Sequence, residues 1–225
     1  MNQRPMRRQP IAPELVAPQL RHVRWIGGGS GAGKTTISRA LAAGYGLRYY
    51  SCDDVISEHV GRANPADTPL LHAFLAMSMD ERWVSRSPAE MYATFPWFQG
   101  EGFDLIVHDL LALPREPPIV AEGFRLLPRL VAPLLSLPNQ AVWFIPTPEF
   151  RRAAFDSRGF TWDIAGRTSN PRRALANLLA RDQLFTDDVI KEATALRLPT
   201  IMVDGTLSAV ELTRRVGVRL GLGTP

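Results

Sequence analysis

The chain has 225 residues, 45% of them hydrophobic, and a formal net charge of +4. That length and core content suit one domain. With a single cysteine, Cys52, no apolar run of about 18 residues and no signal-peptide core, the sequence predicts a soluble protein of a reducing cytoplasm, without a membrane partner.

Charge is unevenly spread: residues 1–24 carry net +4, residues 150–181 net +5, and the remainder net −5. Local positive charge disfavours a protein that coats nucleic acid and predicts a concentrated anion site instead. Residues 1–20 contain four prolines and little periodicity, so they read as a flexible arm ahead of a single domain over 21–225.

A first strand is expected over 22–27. It runs into Gly28-Gly29-Ser30-Gly31-Ala32-Gly33-Lys34-Thr35, which fits G-x-x-x-x-G-K-[ST]. Glycines let successive N–H groups converge on phosphate oxygens, while the next helix turns the positive end of its dipole toward the same anion. In such a loop Lys34 reaches the β- and γ-phosphates and the Thr35 hydroxyl binds Mg²⁺; Thr36 completes the predicted nucleotide-binding set. Ile37, Ala40, Leu41 and Gly44 recur at helical spacing, so strand, loop and helix come in the required order, which a flexible glycine linker would not provide. The chain has only two lysines, Lys34 and Lys191, so a lysine here suggests a need for a compact ammonium.

Leu47 to Ser51 reads as a second strand ending in Asp53-Asp54. Ligands of open parallel sheets bind beyond the carboxyl ends of the strands, which brings these acids near the phosphate loop. Asp53 is favoured as a base, and Asp54 as a substrate contact or helix cap. Residues 54–117 form a helical insertion. Helices are expected from Thr68-Pro69, from the capping box Ser87-Pro88-Ala89-Glu90, and from Phe103 through Leu111. Trp83, Met91, Tyr92, Phe95, Trp97 and Phe98 either wall an acceptor pocket or form the insertion's core. His59, His72 and His108 lack metal-ligand spacing and read as ordinary surface or packing residues.

Pro117 to Gly123 reads as a buried strand ending in Glu122, positioned to hold the Mg²⁺ shell or the acceptor. Arg125 either holds substrate or is a plain surface arginine. Ala141 to Ile145 is a strand covered on both faces. Beyond it, the arginine-rich stretch 150–181 reads as a lid that stabilises charge on a transferring phosphoryl group. Arg158 is the first choice for this catalytic role and Arg181 the second. A last strand over 198–205 and a helix from Ser208 complete five strands alternating with helices, hence an α/β sandwich with a parallel sheet between two helical layers.

The loop from Gly28 to Thr35, Asp53-Asp54, Ala121-Glu122-Gly123, the arginines after the fourth strand and Val203-Asp204-Gly205 together resemble the P-loop small-molecule kinases. That broad group includes adenylate, shikimate, gluconate and uridine kinases and the chloramphenicol phosphotransferases. The resemblance spans about residues 21–220. It implies strand order 2-3-1-4-5, an insertion that binds the acceptor, and a turn at Asp204 beside the nucleotide base. The nucleoside-monophosphate kinase signature Asp-Gly-x-Pro-Arg is missing, which favours an uncharged or hydroxyl-bearing metabolite, a nucleoside or an antibiotic as acceptor. The expected activity is γ-phosphoryl transfer from ATP or GTP, with Mg²⁺, to a hydroxyl. A regulatory nucleotide hydrolase and a polynucleotide 5′-hydroxyl kinase are the alternatives.

Overall fold

A computed structural model describes residues 12–157 and 164–223. Arg158 lies outside the described residues. Five strands form one parallel sheet, β1 Val23–Gly28, β2 Arg48–Ser51, β3 Ile119–Glu122, β4 Ala141–Pro146 and β5 Thr200–Val203. Their order is β2-β3-β1-β4-β5, the order that the resemblance implies.

Alternation along the central strands divides the core into two halves, because successive side chains of a strand point to opposite faces. Trp25, Ala121 and Trp143 face one side, and Ile26, Val120, Val142 and Phe144 face the other. Both faces are therefore covered, as parallel sheets require. The helix after the phosphate loop, Lys34–Tyr45, packs Ile37 and Leu41 beside Leu212 and Val216 of the terminal helix Ala209–Arg219. On the opposite face lie helices of the insertion and the 25-residue helix Pro171–Ala195. Burying each large apolar side chain contributes about 1.5–3 kcal/mol. Trp25 and Trp143, both fully buried, hold the middle of the sheet.

In chain order the helices are α1 Pro13–Val16, α2 Lys34–Tyr45, α3 Ile56–Arg62, α4 Pro69–Ala76, α5 Met79–Trp83 and α6 Pro88–Thr94. They continue with α7 Phe103–Ala112, α8 Pro128–Val131, α9 Pro148–Ser157, α10 Pro171–Ala195 and α11 Ala209–Arg219. The insertion between β2 and β3 thus contributes α3 to α7. Ser87 and Glu90 form the expected capping box, and Ser78 with Glu81 forms a second one that starts α5.

Two segments differ from expectation. Residues 12–20 are not an extended arm: α1 leads into a short 3-10 helix, Ala17–Leu20, which docks by burying Leu20 and by Gln140 donating to the Leu20 carbonyl at 2.7 Å. The arginine-rich stretch contains packed helices, and Arg181 sits well inside α10. Among the described residues no helix is long and apolar enough to cross a membrane.

Register explains how the functional residues meet. Glu122, the last residue of β3, pairs with Ile26 of β1 and Ser51 of β2. The phosphate loop begins just beyond β1 and Asp53 just beyond β2, so all three reach the same edge of the sheet.

Candidate active site

At that edge lies a cavity of about 420 Å³. Ser30 to Thr36 line one end, Asp53 and Glu122 the sheet side, and Phe74, Trp83, Phe95, Trp97, Phe98 and Phe124 the far end.

The loop geometry follows from its glycines. Gly28 has φ +118° and Gly33 +75°, both in the left-handed range that favours glycine. A Cβ on Gly28 would collide with the Phe144 carbonyl of β4, so only glycine lets the loop lie this close to the sheet. Gly29 donates to that carbonyl at 2.9 Å. Gly28 and Gly29 thus form the back of the loop, and Ser30, Gly31, Ala32 and Gly33 face the cavity.

No side chain caps α2 at Gly33. Its first turn therefore points uncapped N–H groups and the positive end of the helix dipole toward the cavity. Lys34 is buried, and its Nζ donates to the Gly29 carbonyl at 2.8 Å and the Gly28 carbonyl at 3.2 Å. Its ammonium is therefore tethered to the loop it serves.

Thr35 Oγ1 donates to Glu122 Oε1 at 2.9 Å, and the Tyr49 hydroxyl donates to the same oxygen at 2.8 Å. Burial, reinforced by Glu122, pushes the Tyr49 phenol up to about 12, so it stays a donor at neutral pH. Glu122 Oε2 is buried with no hydrogen-bond partner among the described residues. A hydroxyl beside a carboxylate with one uncommitted oxygen fits Mg²⁺, which takes one or two protein oxygens and completes its shell with phosphates and water. Among the described residues no cluster of three or more His, Cys, Asp or Glu is arranged to hold a metal.

Asp53 is exposed to solvent and lines the cavity. Burial raises its carboxyl above the usual carboxylate range; Lys34 pulls it back, Glu122 raises it, Arg125 lowers it and Asp54 raises it. A raised carboxylate in the cavity is a better base than an ordinary one. Asp54 is exposed outside the cavity wall, and its backbone N–H donates to Ser51 Oγ at 3.2 Å. Neither acid caps α3, which begins after Val55 without a side-chain cap.

Arg125 is neither a surface arginine nor a cavity residue. It is 2% exposed, and its guanidinium donates to His59 Nδ1 at 3.0 Å, the Gly102 carbonyl at 2.9 Å and the Cys52 carbonyl at 3.3 Å. Cys52 precedes Asp53, so Arg125 braces the strand end that carries Asp53. With Nδ1 of His59 accepting from Arg125, Nε2 carries the proton and donates to Asp109 Oδ2 at 2.6 Å. Tyr50 donates to the same oxygen at 2.9 Å, and Arg62 donates to Oδ1 at 2.7 Å. His59 is thus a buried, neutral link, while His108 is exposed and His72 half-buried.

Arg181 does line the cavity. It pairs with its neighbour Asp182 through Nε at 2.9 Å and Nη2 at 2.6 Å. Asp204 is exposed outside the wall and accepts from the backbone N–H and hydroxyl of Thr206.

Of the expected aromatic wall, Trp83, Phe95, Trp97 and Phe98 line the cavity. Met91 is buried in the core instead, and Tyr92 donates to Asp188. Phe124, Tyr49 and the His59–Asp109 link escaped sequence reading. Phe124 was legible in principle, since it lies between Glu122 and Arg125 at the same strand end. Asp109 carried no signal, because it is one of three polar residues, with Asp104 and His108, in an otherwise apolar helix.

No protein-family model matches the chain, and no curated protein matches it. Among solved structures it is similar to a gluconokinase from Sinorhizobium meliloti 1021, at 16% identity over 90% of this chain and 93% of that one, with a TM-score of 0.47. It is also similar to an uncharacterized protein from Eubacterium ventriosum ATCC 27560, at 14% identity over 89% and 98%, with a TM-score of 0.46. A third is the NadR protein in complex with NR, at 14% identity over 94% of this chain and 55% of that one, with a TM-score of 0.43. These likenesses are distant and concern only the course of the chain.

Proposed function

We propose that this chain is a phosphotransferase that moves the γ-phosphoryl group of ATP or GTP to a hydroxyl of a small molecule. One observation carries the reading: a single cavity is lined by an anion-binding loop, by Asp53 and by a set of aromatic side chains. Nucleotide hydrolysis alone needs no second compartment of this kind.

The loop N–H groups and the α2 dipole hold the phosphate chain, and Lys34 neutralises charge on its β- and γ-oxygens. Thr35 and Glu122 would hold Mg²⁺, which when bound offsets the negative charge of those phosphates. The acceptor oxygen forms its bond to the γ-phosphorus as the bond to the bridging oxygen breaks. Asp53 takes the hydroxyl proton, and the nucleoside diphosphate leaves. Arg181 is the described arginine of the arginine-rich stretch 150–181 that lines this cavity, so it is the candidate to contact the transferring group or the acceptor.

The test is transfer of labelled γ-phosphate to a panel of hydroxyl-bearing metabolites, nucleosides and antibiotics. Lys34→Ala is expected to lower transfer by at least about 10²-fold with the circular-dichroism spectrum and melting curve preserved. Wild-type-level transfer by a folded Lys34→Ala protein would refute the assignment.

A further inference from the structure

The far end of the cavity has a chemistry of its own. Phe74, Trp83, Phe95 and Phe98 are buried, and Trp97 and Phe124 are half-buried rings facing the cavity. The Trp97 and Phe124 rings lie 6.3 Å apart at 79°, edge to face, and form a corner of the cavity wall. A flat ring entering such a corner stacks on one face and meets the other edge-on, the arrangements aromatic pairs prefer.

Charge at this end is already balanced. Among the described lining residues the cations are Lys34 and Arg181, and Lys34 belongs to the phosphate end. Arg181 is committed to Asp182, and its guanidinium carbon lies 4.4 Å from the Phe95 centroid and 5.0 Å from those of Trp83 and Phe98. Its Nη1 is buried without a hydrogen-bond partner among the described residues. Arg125 is turned away beneath the floor. Among the described lining residues, an anionic acceptor would meet the Asp53 carboxylate with only Lys34, at the phosphate end, and the Asp182-paired Arg181 to offset its charge. A polyol would give up hydrogen bonds to water and find mostly ring carbon in exchange.

We propose that the acceptor is a neutral molecule carrying an aromatic or similarly flat apolar ring, seated in the corner of Trp97 and Phe124 with a hydroxyl turned toward Asp53. This inference rests on the phosphotransferase reading and narrows it. It makes Trp97 and Phe124 specificity-determining residues and rules out monophosphates, sugar acids and open-chain polyols as preferred acceptors.

Binding and transfer are measured separately. Isothermal titration calorimetry, with Mg²⁺ and a non-hydrolysable nucleotide analogue present, compares tyrosol, cinnamyl alcohol and 2-naphthylmethanol with sorbitol, gluconate and a nucleoside monophosphate. Saturable binding is expected within the aromatic set only, with the dissociation constant raised about tenfold by Phe124→Leu and by Trp97→Ala. Phe124→Leu removes the ring but keeps a branched apolar side chain, so it tests the corner even where Trp97→Ala fails to fold. No binding across the aromatic set, or saturable binding confined to the polyol or the anions, overturns the inference. Labelled γ-phosphate then tests the parent reading: aromatic binding without transfer to any acceptor sinks the phosphotransferase and leaves the corner assigned. Transfer to gluconate but to no aromatic alcohol does the reverse.

Discussion

Asp53, the proposed base, also carries a cost to the fold. Burial raises its carboxyl pKa, so the unfolded chain ionises more readily than the folded one as pH rises above the ordinary value. Asp53 therefore lowers folded-state stability once pH passes its raised pKa, and the cost disappears below the ordinary value. Asp53→Asn is expected to raise the melting temperature only slightly at neutral pH, because solvent reaches the side chain, while lowering transfer by about 10²- to 10⁴-fold, measured by calorimetric melting and by turnover. Lower stability together with full activity would show that the carboxylate is structural. Glu122 makes a different demand. Its Oε2 has no partner among the described residues, and its Oε1 accepts from Thr35 and Tyr49. Glu122→Gln is expected to raise the Mg²⁺ concentration giving half-maximal transfer by about tenfold or more, and an unchanged Mg²⁺ dependence would remove Glu122 from the metal site.

Among the secondary-structure elements, the end of β2 is held by α3, α7 and the turn carrying Arg125. Asp109 of α7 joins them. Burial works against its ionised form, but donors from His59, Arg62 and Tyr50 outweigh this and hold it below the usual carboxylate range. Asp109→Asn is expected to cost about 1.5–3 kcal/mol in denaturant unfolding, because hydrogen bonds to a charged group are lost. His59 faces Asp109, Arg62 and Arg125. Burial lowers its pKa, with Asp109 opposing the shift and Arg125 adding to it. The folded state therefore binds its proton less readily than the unfolded chain. Stability is kept above the ordinary histidine value near 6.5 and lost as pH falls from there through the lowered value. A stability profile flat from pH 7 to 5.5, once other groups are matched in a His59→Gln control, would contradict this link.

Local signals made much of this scaffold legible. The strand before Gly28, the helical spacing after it and the Ser87–Glu90 box are contiguous patterns, and each appears where the chain predicts it. Docking of residues 12–20 was illegible because it depends on Leu20 and Gln140, which are 120 positions apart. Arg125 looked equally suited to substrate or solvent, since its partners His59 and Gly102 lie in the insertion. α10 was obscured for a related reason. Its arginines suggested a lid, whereas Ala174, Leu178, Phe185 and Val189 form a buried helical face.

Across the whole molecule, the parallel sheet brings three short loops to one edge, and the insertion folds back to close the cavity with aromatic rings. The phosphate loop alone would serve any nucleotide-driven activity. Joined to Asp53, Glu122 and an apolar compartment, it has the composition that the proposed transfer between two substrates requires. The most direct measurement follows the label from γ-phosphate-labelled ATP, with Mg²⁺ and a neutral aromatic alcohol present, and determines how it divides between acceptor and inorganic phosphate. Label on the acceptor hydroxyl, abolished by Lys34→Ala and strongly reduced by Asp53→Asn, is the predicted result. Release of all label as inorganic phosphate, at a rate that no hydroxyl compound changes, would contradict phosphoryl transfer as the function of this chain.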